Sequence, residues 1–175
     1  MLVSKLAGYF LLWTLWSYTI HWFAHCRIKR FNFFKYFHLK HHAYKYGESL
    51  LPPWYEYFFW FGSFRGSMDV YLTFTLPLIA LAFYDPQYGL TLLAFHYVYE
   101  VFLGSNVLDH NPKISGWITR IFPIGTFHLQ HHRNVKCNYS FYTTFWDNLF
   151  GTVDRKVLAR NRPNSDAELI QPSGK

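Results

Sequence analysis

The sequence predicts an all-α fold: an integral membrane helical bundle of about three spans, one a single helix and two paired as a hairpin, with a cytoplasmic helical cap holding a histidine-rich dimetal site. Three observations predict it. Long apolar runs alternate with short polar breaks. Eight of the ten histidines fall into three groups at helical spacing. Nearly all lysines and arginines lie on the side of the runs that holds those groups. A chain of 175 residues sets one domain, here 1–160, followed by a polar tail, 161–175, expected to be disordered.

The first element is Leu6 to Ala24, apolar apart from Thr14, Ser17, Thr19 and His21, with Lys5 before it and Arg27 after it. It is long enough to span a membrane. It lacks the small-residue cleavage site of a signal peptide and runs straight into His21 and His25. Arg27 to Lys45 is basic and aromatic and encloses His38, His41 and His42. This predicts a short helix leaving the membrane and a second one carrying the three histidines. Trp54 to Arg65 is rich in tryptophan and tyrosine and too short to span. Rings of that kind favour the headgroup level, so the segment either anchors in the interface or roofs a substrate path.

Val70 to Tyr84 and Tyr88 to Leu108 form the hairpin, turning at Asp85-Pro86-Gln87. The first arm is short and contains Pro77, which makes it a candidate for tilting, kinking or an incomplete span. The second arm carries His96 and Glu100 four apart on one face. They mark the polar end of a substrate channel or simply satisfy each other, because ionisable groups at that depth need a cavity or a partner. Ile114 to Phe127 reads as amphipathic. Then come His128, His131 and His132, and two polar-aromatic stretches, Asn138-Tyr139-Ser140 and Phe145 to Thr152.

The histidine spacings carry the chemistry. Helix residues three and four apart share a face. His21 with His25, His38 with His41 and His42, and His128 with His131 and His132 can each aim imidazoles one way. Eight imidazoles are too many for one tetrahedral zinc and enough for two metals with open positions. Histidines with little carboxylate suit iron, zinc or copper. Apolar spans and aromatic helices around the site point to oxygen chemistry on a hydrocarbon, with water kept out.

Charge sets sidedness. Of 17 lysines and arginines only Lys5 falls on the outer side, so the metal face is expected to be cytoplasmic. That leaves the cell inner membrane or the endoplasmic reticulum. The net charge of +7 suits anionic headgroups better than nucleic acid, because the basic residues are interspersed with apolar runs. Cys26 and Cys137 show no disulfide or zinc-ribbon pattern and read as free thiols.

The motifs HWFAH at 21–25, HLKHH at 38–42 and HLQHH at 128–132, with Asn138-Tyr139 and WDNLFGT at 146–152, resemble the fatty acid hydroxylase and sterol desaturase superfamily of membrane di-iron enzymes. The match runs over about residues 20 to 153. The resemblance implies two non-haem iron ions, O2 as co-substrate, and hydroxylation or desaturation of a fatty acyl, sterol or carotenoid lipid. It makes His21, His25, His38, His41, His42, His128, His131 and His132 ligands and adds His110. Many relatives carry a histidine where Asn106 stands, which makes Asn106 a candidate weak ligand or a structural cap. Asp147, and less strongly Asp109, are candidates to orient ligand imidazoles. Ser140 stands where the family often has glycine. With no flavin or nicotinamide motif, electrons are expected from a separate ferredoxin, rubredoxin or cytochrome b5-like donor. Oligomerisation stays open. A desaturase on the same site, a non-catalytic zinc-bound member of the fold, and a metal-binding or metal-transport membrane protein are the alternative readings.

Overall fold

The structure is a computed structural model, and it describes residues 2–27, 31–46 and 53–154. The tail at 161–175 lies outside the described residues. Within them the fold is all-helical. Helix α1 is Leu2–His25 and α2 is Phe33–His42. Two 3₁₀ turns, Trp54–Tyr57 and Trp60–Gly62, lead into α3, Phe64–Tyr84. Helix α4, Pro86–Val98, continues as a π-helical run, Tyr99–Asp109. After a 3₁₀ turn at Gly116–Arg120 come α5, Thr126–Arg133, and α6, Phe145–Phe150.

The first helix begins and ends beyond the predicted Leu6–Ala24, and so carries both of its histidines within regular helix. No further helical turn follows it at Cys26 and Arg27; 28–30 lie outside the described residues. Asn32 makes the turn into α2. Its side chain accepts from Lys35 N at 3.0 Å, and its amide donates to Phe23 O at 2.9 Å. One residue therefore caps α2 and fixes its start against the end of α1.

The aromatic segment after Pro53 is two 3₁₀ turns rather than a helix. Phe61 adopts φ +56 and Gly62 φ +60, which breaks any continuous helix there. Ser63 then caps α3 by accepting from Gly66 N at 3.1 Å. The first hairpin arm thus starts six residues earlier than the apolar run from Val70 suggests. It is the one described helix long and apolar enough to cross a membrane by length and composition.

Pro77 does not break this arm. The helix widens to π geometry over Tyr71–Thr75 immediately before it, a common accommodation of a disrupted ladder. In that register the Leu72 carbonyl would pair with the N–H that Pro77 lacks. Trp16 Nε1 of α1 supplies the bond instead, at 3.2 Å, and Trp13 Nε1 bonds Phe74 O at 3.0 Å. Two indoles therefore seal the irregular turn. Trp13, Phe74, Leu78, Leu92 and Tyr142 form the core around it.

Thr14, Ser17, Tyr18 and His21 of α1 share one buried stripe. Thr14 and Ser17 are fully buried. Thr14 Oγ1 accepts from Trp146 Nε1 at 3.0 Å, and Tyr18 OH meets Thr152 Oγ1 at 3.0 Å. The stripe docks α1 on the C-terminal segment and aims His21 inward. At the hairpin turn the arms touch backbone to backbone: a Cβ on Gly89 would stand 2.2 Å from Ala82 N. Small residues at such crossings allow close helix approach.

Gly89→Ala therefore forces the arms apart and is expected to cost about 1–3 kcal/mol. Gly8→Ala, whose Cβ meets nothing within 4 Å, should be neutral or slightly stabilising. Thermal unfolding of the two detergent-purified variants checks the contrast; equal melting would refute this account of the turn.

Candidate metal centre

The three predicted histidine groups, together with His110, close into two clusters. One holds His21, His25, His38, His42 and His131; the other holds His41, His110, His128 and His132. Each HxxHH motif is split between them. His41 and His42 face different clusters although they are neighbours, and so do His131 and His132. Adjacent residues on a helix point about 100° apart, so one helical turn can serve two centres.

Within each cluster the ligand nitrogens all lie within 4.8 Å of one another. In the first, His21 Nε2 lies 2.9 Å from His131 Nε2, which lies 3.1 Å from His25 Nε2 and 3.3 Å from His42 Nε2. His42 Nε2 is 2.9 Å from His38 Nε2. In the second, His132 Nε2 lies 3.0, 3.1 and 3.1 Å from the Nε2 atoms of His41, His128 and His110.

The opposite ring nitrogens explain this geometry. His21 Nδ1 donates to Tyr139 O at 2.6 Å and His131 Nδ1 to Cys137 O at 2.7 Å. His110 Nδ1 donates to Ser105 O at 2.9 Å. A carbonyl only accepts, so each of these Nδ1 atoms carries the proton and each Nε2 of a neutral ring is a bare lone pair. His38 Nδ1 lies 3.1 Å from the Asp69 carboxylate, and His41 Nδ1 3.0 Å from Tyr46 OH.

Outside the spans, burial keeps the rings neutral. It holds His38, His41, His128 and His131 well below the ordinary imidazole value. It pushes His42 and His110 to about 4 and His132 to about 2. Neighbouring imidazoles add to it at His41, His128 and His132. Neutral rings with opposed lone pairs at 2.9 Å repel unless a cation lies between them. Nitrogens about 2.1 Å from one ion stand roughly 3 Å apart when adjacent and 4.2 Å when opposite. The observed spacings fit that arrangement, and the all-imidazole donor set suits iron, zinc or copper rather than magnesium or calcium.

A match to a family model over most of the chain decides what the architecture belongs to. The family model described as fatty acid hydroxylase matches residues 6–152. The chain belongs to the fatty acid hydroxylase family. Among curated relatives, cholesterol 25-hydroxylase of Rattus norvegicus is 34% identical over 89 residues, covering 43% of this chain and 29% of the rat protein. The chain thus spans less than a third of that relative's length. No solved structure matches the chain.

The other family-type site residues take definite places. Asp147, fully buried, touches no imidazole. Its carboxylate accepts from Tyr139 N at 2.8 Å, Ser140 N at 2.7 Å and Thr152 Oγ1 at 2.5 Å. It fixes the loop whose carbonyls orient His21 and His131, one step further out than the sequence suggests. Ser140 Oγ accepts from Asp147 N at 3.1 Å, which gives the residue standing in place of glycine a role in that loop. Asp109 accepts from Tyr99 OH at 2.6 Å and lines a small chamber with His41 and His110. Asn106 lies in the π-helical run, four residues before His110. His96 and Glu100 are 4.0 Å apart, with Tyr142 OH between them at 2.9 and 2.8 Å. Both cysteines are free, and Cys137 serves through its carbonyl.

Two positioning residues escape the sequence reading. Asp69 is just outside an apolar run counted from Val70. Counted from Phe64 it is the one carboxylate in a 21-residue helix, and an ionisable group in such a setting is a functional signal. Tyr46 stacks on His110, with ring centroids 3.6 Å apart, as well as reaching His41. Nothing in the sequence separates it from its aromatic neighbours.

Removing an outer partner of a metal-bound histidine typically costs 10–100-fold in affinity. Asp69→Leu is expected to lose metal to a competing chelator at roughly 10–100-fold lower concentration. Asp69→Asn keeps an oxygen acceptor for His38 Nδ1–H and should lose less. Asp147→Ala leaves two buried N–H groups unpaired, at about 1–3 kcal/mol each, and should lower both metal retention and melting temperature. Metal content across a chelator titration reads all three; wild-type retention in Asp69→Leu would sink the positioning role.

Proposed function

We propose that this chain is a membrane-bound non-haem di-iron oxygenase that hydroxylates a C–H bond of a lipid-like substrate. The carrying observation is the convergence of nine imidazole Nε2 atoms on two points. Family membership and the rat relative, named for hydroxylating a sterol, support the lipid chemistry. Grouping of the histidines in two compact clusters, rather than along a path through the helices, favours catalysis over metal transport.

His21, His25, His38, His42 and His131 would hold one ion, and His41, His110, His128 and His132 the other. When bound, such a metal pair supplies the activation of O2 needed to attack an unreactive C–H bond. The chain's own residues do the rest. Tyr139 O, Cys137 O, Ser105 O and Asp69 keep Nδ1 protonated, so that Nε2 remains a ligand. Phe61, packed on His41, and Phe141, packed on His21 and His128, exclude water.

Helices α1, α3 and α4 are the three spans in this reading, with α2 and α5 on the cytoplasmic face. Lys35, Lys40, Arg133 and Lys136 on that side suit an acidic electron donor of the ferredoxin, rubredoxin or cytochrome b5 type. Desaturation uses the same site and differs in where the second hydrogen is taken.

Protein purified under anaerobic conditions is expected to hold about two irons per chain. Cells producing it should contain a lipid heavier by one oxygen than in cells without it. His131→Ala should retain about one metal and lose that product. Less than about one metal per wild-type chain, or product at the wild-type level from His131→Ala, would refute the assignment. Two zincs from iron-replete cells would replace it with a non-catalytic metal protein, and a lipid lighter by two hydrogens would make the enzyme a desaturase.

A further inference from the structure

The chamber against the metal-binding histidines is small. It is lined by His41 and His110 with Asp69, Glu100 and Asp109, and its volume is about 20 Å³. That is room for one water, not for a substrate carbon with its neighbours. The substrate must therefore lie behind one of the chamber's walls.

One wall backs onto a much larger space. Between the hairpin arms and the aromatic turns is a cavity of about 660 Å³, within the usual range of small-molecule sites. Three neighbouring residue pairs divide the two volumes. Trp60, Tyr71 and Thr75 line the large cavity, while Phe61, Val70 and Phe74 line the chamber. Along two of these pairs helix α3 itself is the partition; at Trp60 and Phe61 it is the second aromatic turn. Another cavity, beside Phe95, Phe122 and Ile124, has half the volume, about 340 Å³.

The lining of the large cavity defines its occupant. Leu90, Leu93 and Ala94 give it an apolar floor. Four of its polar side chains are already committed, those of Tyr71, Tyr97, Thr75 and His96. Tyr71 OH donates to Phe58 O at 2.8 Å and Tyr97 OH to Tyr57 O at 3.1 Å, clasping the aromatic turns over the space. Tyr142 OH donates to Glu100 and so accepts from His96 Nδ1–H, which leaves His96 Nε2 to accept from Thr75 Oγ1 at 3.0 Å. The cavity therefore offers an occupant no unpaired charge.

The partition carries signs of a closed, unrelaxed state. Phe61 has φ +56, a conformation that costs a bulky residue about 1–3 kcal/mol. Its ring packs against His41, 4.7 Å between centroids. The adjacent Trp60 is 5% exposed, and its indole N–H has no hydrogen-bond partner. A buried donor left unpaired is unusual. Strain and an orphan donor sit on consecutive residues, between the cavity and the chamber.

We propose that this cavity binds the hydrocarbon body of an uncharged bilayer lipid, and that Phe61 is the gate through which the bound lipid reaches the metal chamber. The assignment rests on the oxygenase reading for its purpose but not for its test. Movement of the 54–62 turns releases Phe61 from its left-handed conformation and frees Trp60 N–H for a hydroxyl or carbonyl oxygen of the lipid.

The test is photolabelling of the full-length, detergent-purified protein with two uncharged diazirine probes, one a sterol and one a long-chain fatty alcohol. Adducts from at least one probe are expected on residues 57–60, 71–75 or 90–97, and the ratio of the two names the better-fitting body. Leu93→Trp and, independently, Ala94→Phe fill the cavity and should lower labelling at least five-fold at unchanged metal content. Phe61→Ala should extend labelling to His41, Asp109 or His110. Labelling confined to Phe95, Phe122 and Ile124, or unaffected by both filling variants, or absent with both probes, overturns the proposal. Labelling at the expected residues without any oxygenated product in cells leaves the site standing and refutes the reaction.

Discussion

Nine imidazoles with converging lone pairs, five buried and four half-buried, are the constraint on which everything else depends. Such a cluster is unfavourable by itself: rings withdrawn from water, kept neutral, and aimed nitrogen to nitrogen. It persists because the opposite edge of each anchored ring is tied. The ties are a carboxylate at His38, a phenol at His41, and backbone carbonyls at His21, His110 and His131. The cation that would relieve the repulsion is therefore provided for before it arrives, which is what preorganisation of a metal site means physically.

The scaffold exists to hold those ties in register. Helix α1 brings its polar stripe against the C-terminal segment, so that Thr14 and Tyr18 fix the helix at the depth where His21 meets Tyr139 O. Asn32 then ties α2 to α1, and Gly125 starts α5. A Cβ at Gly125 would fall 2.2 Å from Ile114 O, and its φ of +56 suits glycine. Gly125 N bonds Leu108 O at 2.9 Å and Thr126 N bonds Ile114 O at 3.0 Å, which pins α5 beside the end of the π-helical run, where His110 sits. Few of these contacts are strong alone; most are single hydrogen bonds between elements.

The helical class, the hairpin and the histidine groups were legible because they depend on local periodicity. Spacing by three and four puts rings on one face, and it does so whatever the fold. What spacing does not contain is the division of labour. Nothing in HLKHH says that His41 and His42 serve different clusters, since that follows from how α2 lies against α5. The same holds for Asp147. Its position in WDNLFGT suggested a direct tie to a ring, yet it acts on the backbone of the loop that ties the ring. How the arm accommodates Pro77 was not legible, because the indoles that complete the wide turn before it come from another helix. Phe61 was hidden altogether: a bulky residue in a left-handed conformation contradicts local preference, and tertiary packing alone explains it.

The backbone anchors have a consequence for how the site tolerates change. Ser105, Cys137 and Tyr139 contribute carbonyl oxygens, which every amino acid has. The tie itself does not depend on their side chains, so a substitution there leaves the acceptor in place so long as the loop keeps its path. Asp69 and Tyr46 contribute side-chain atoms, and a single substitution removes them. The centre is thus genetically robust at three of its five tied rings and fragile at two, and its fragility lies in residues that no histidine motif would mark.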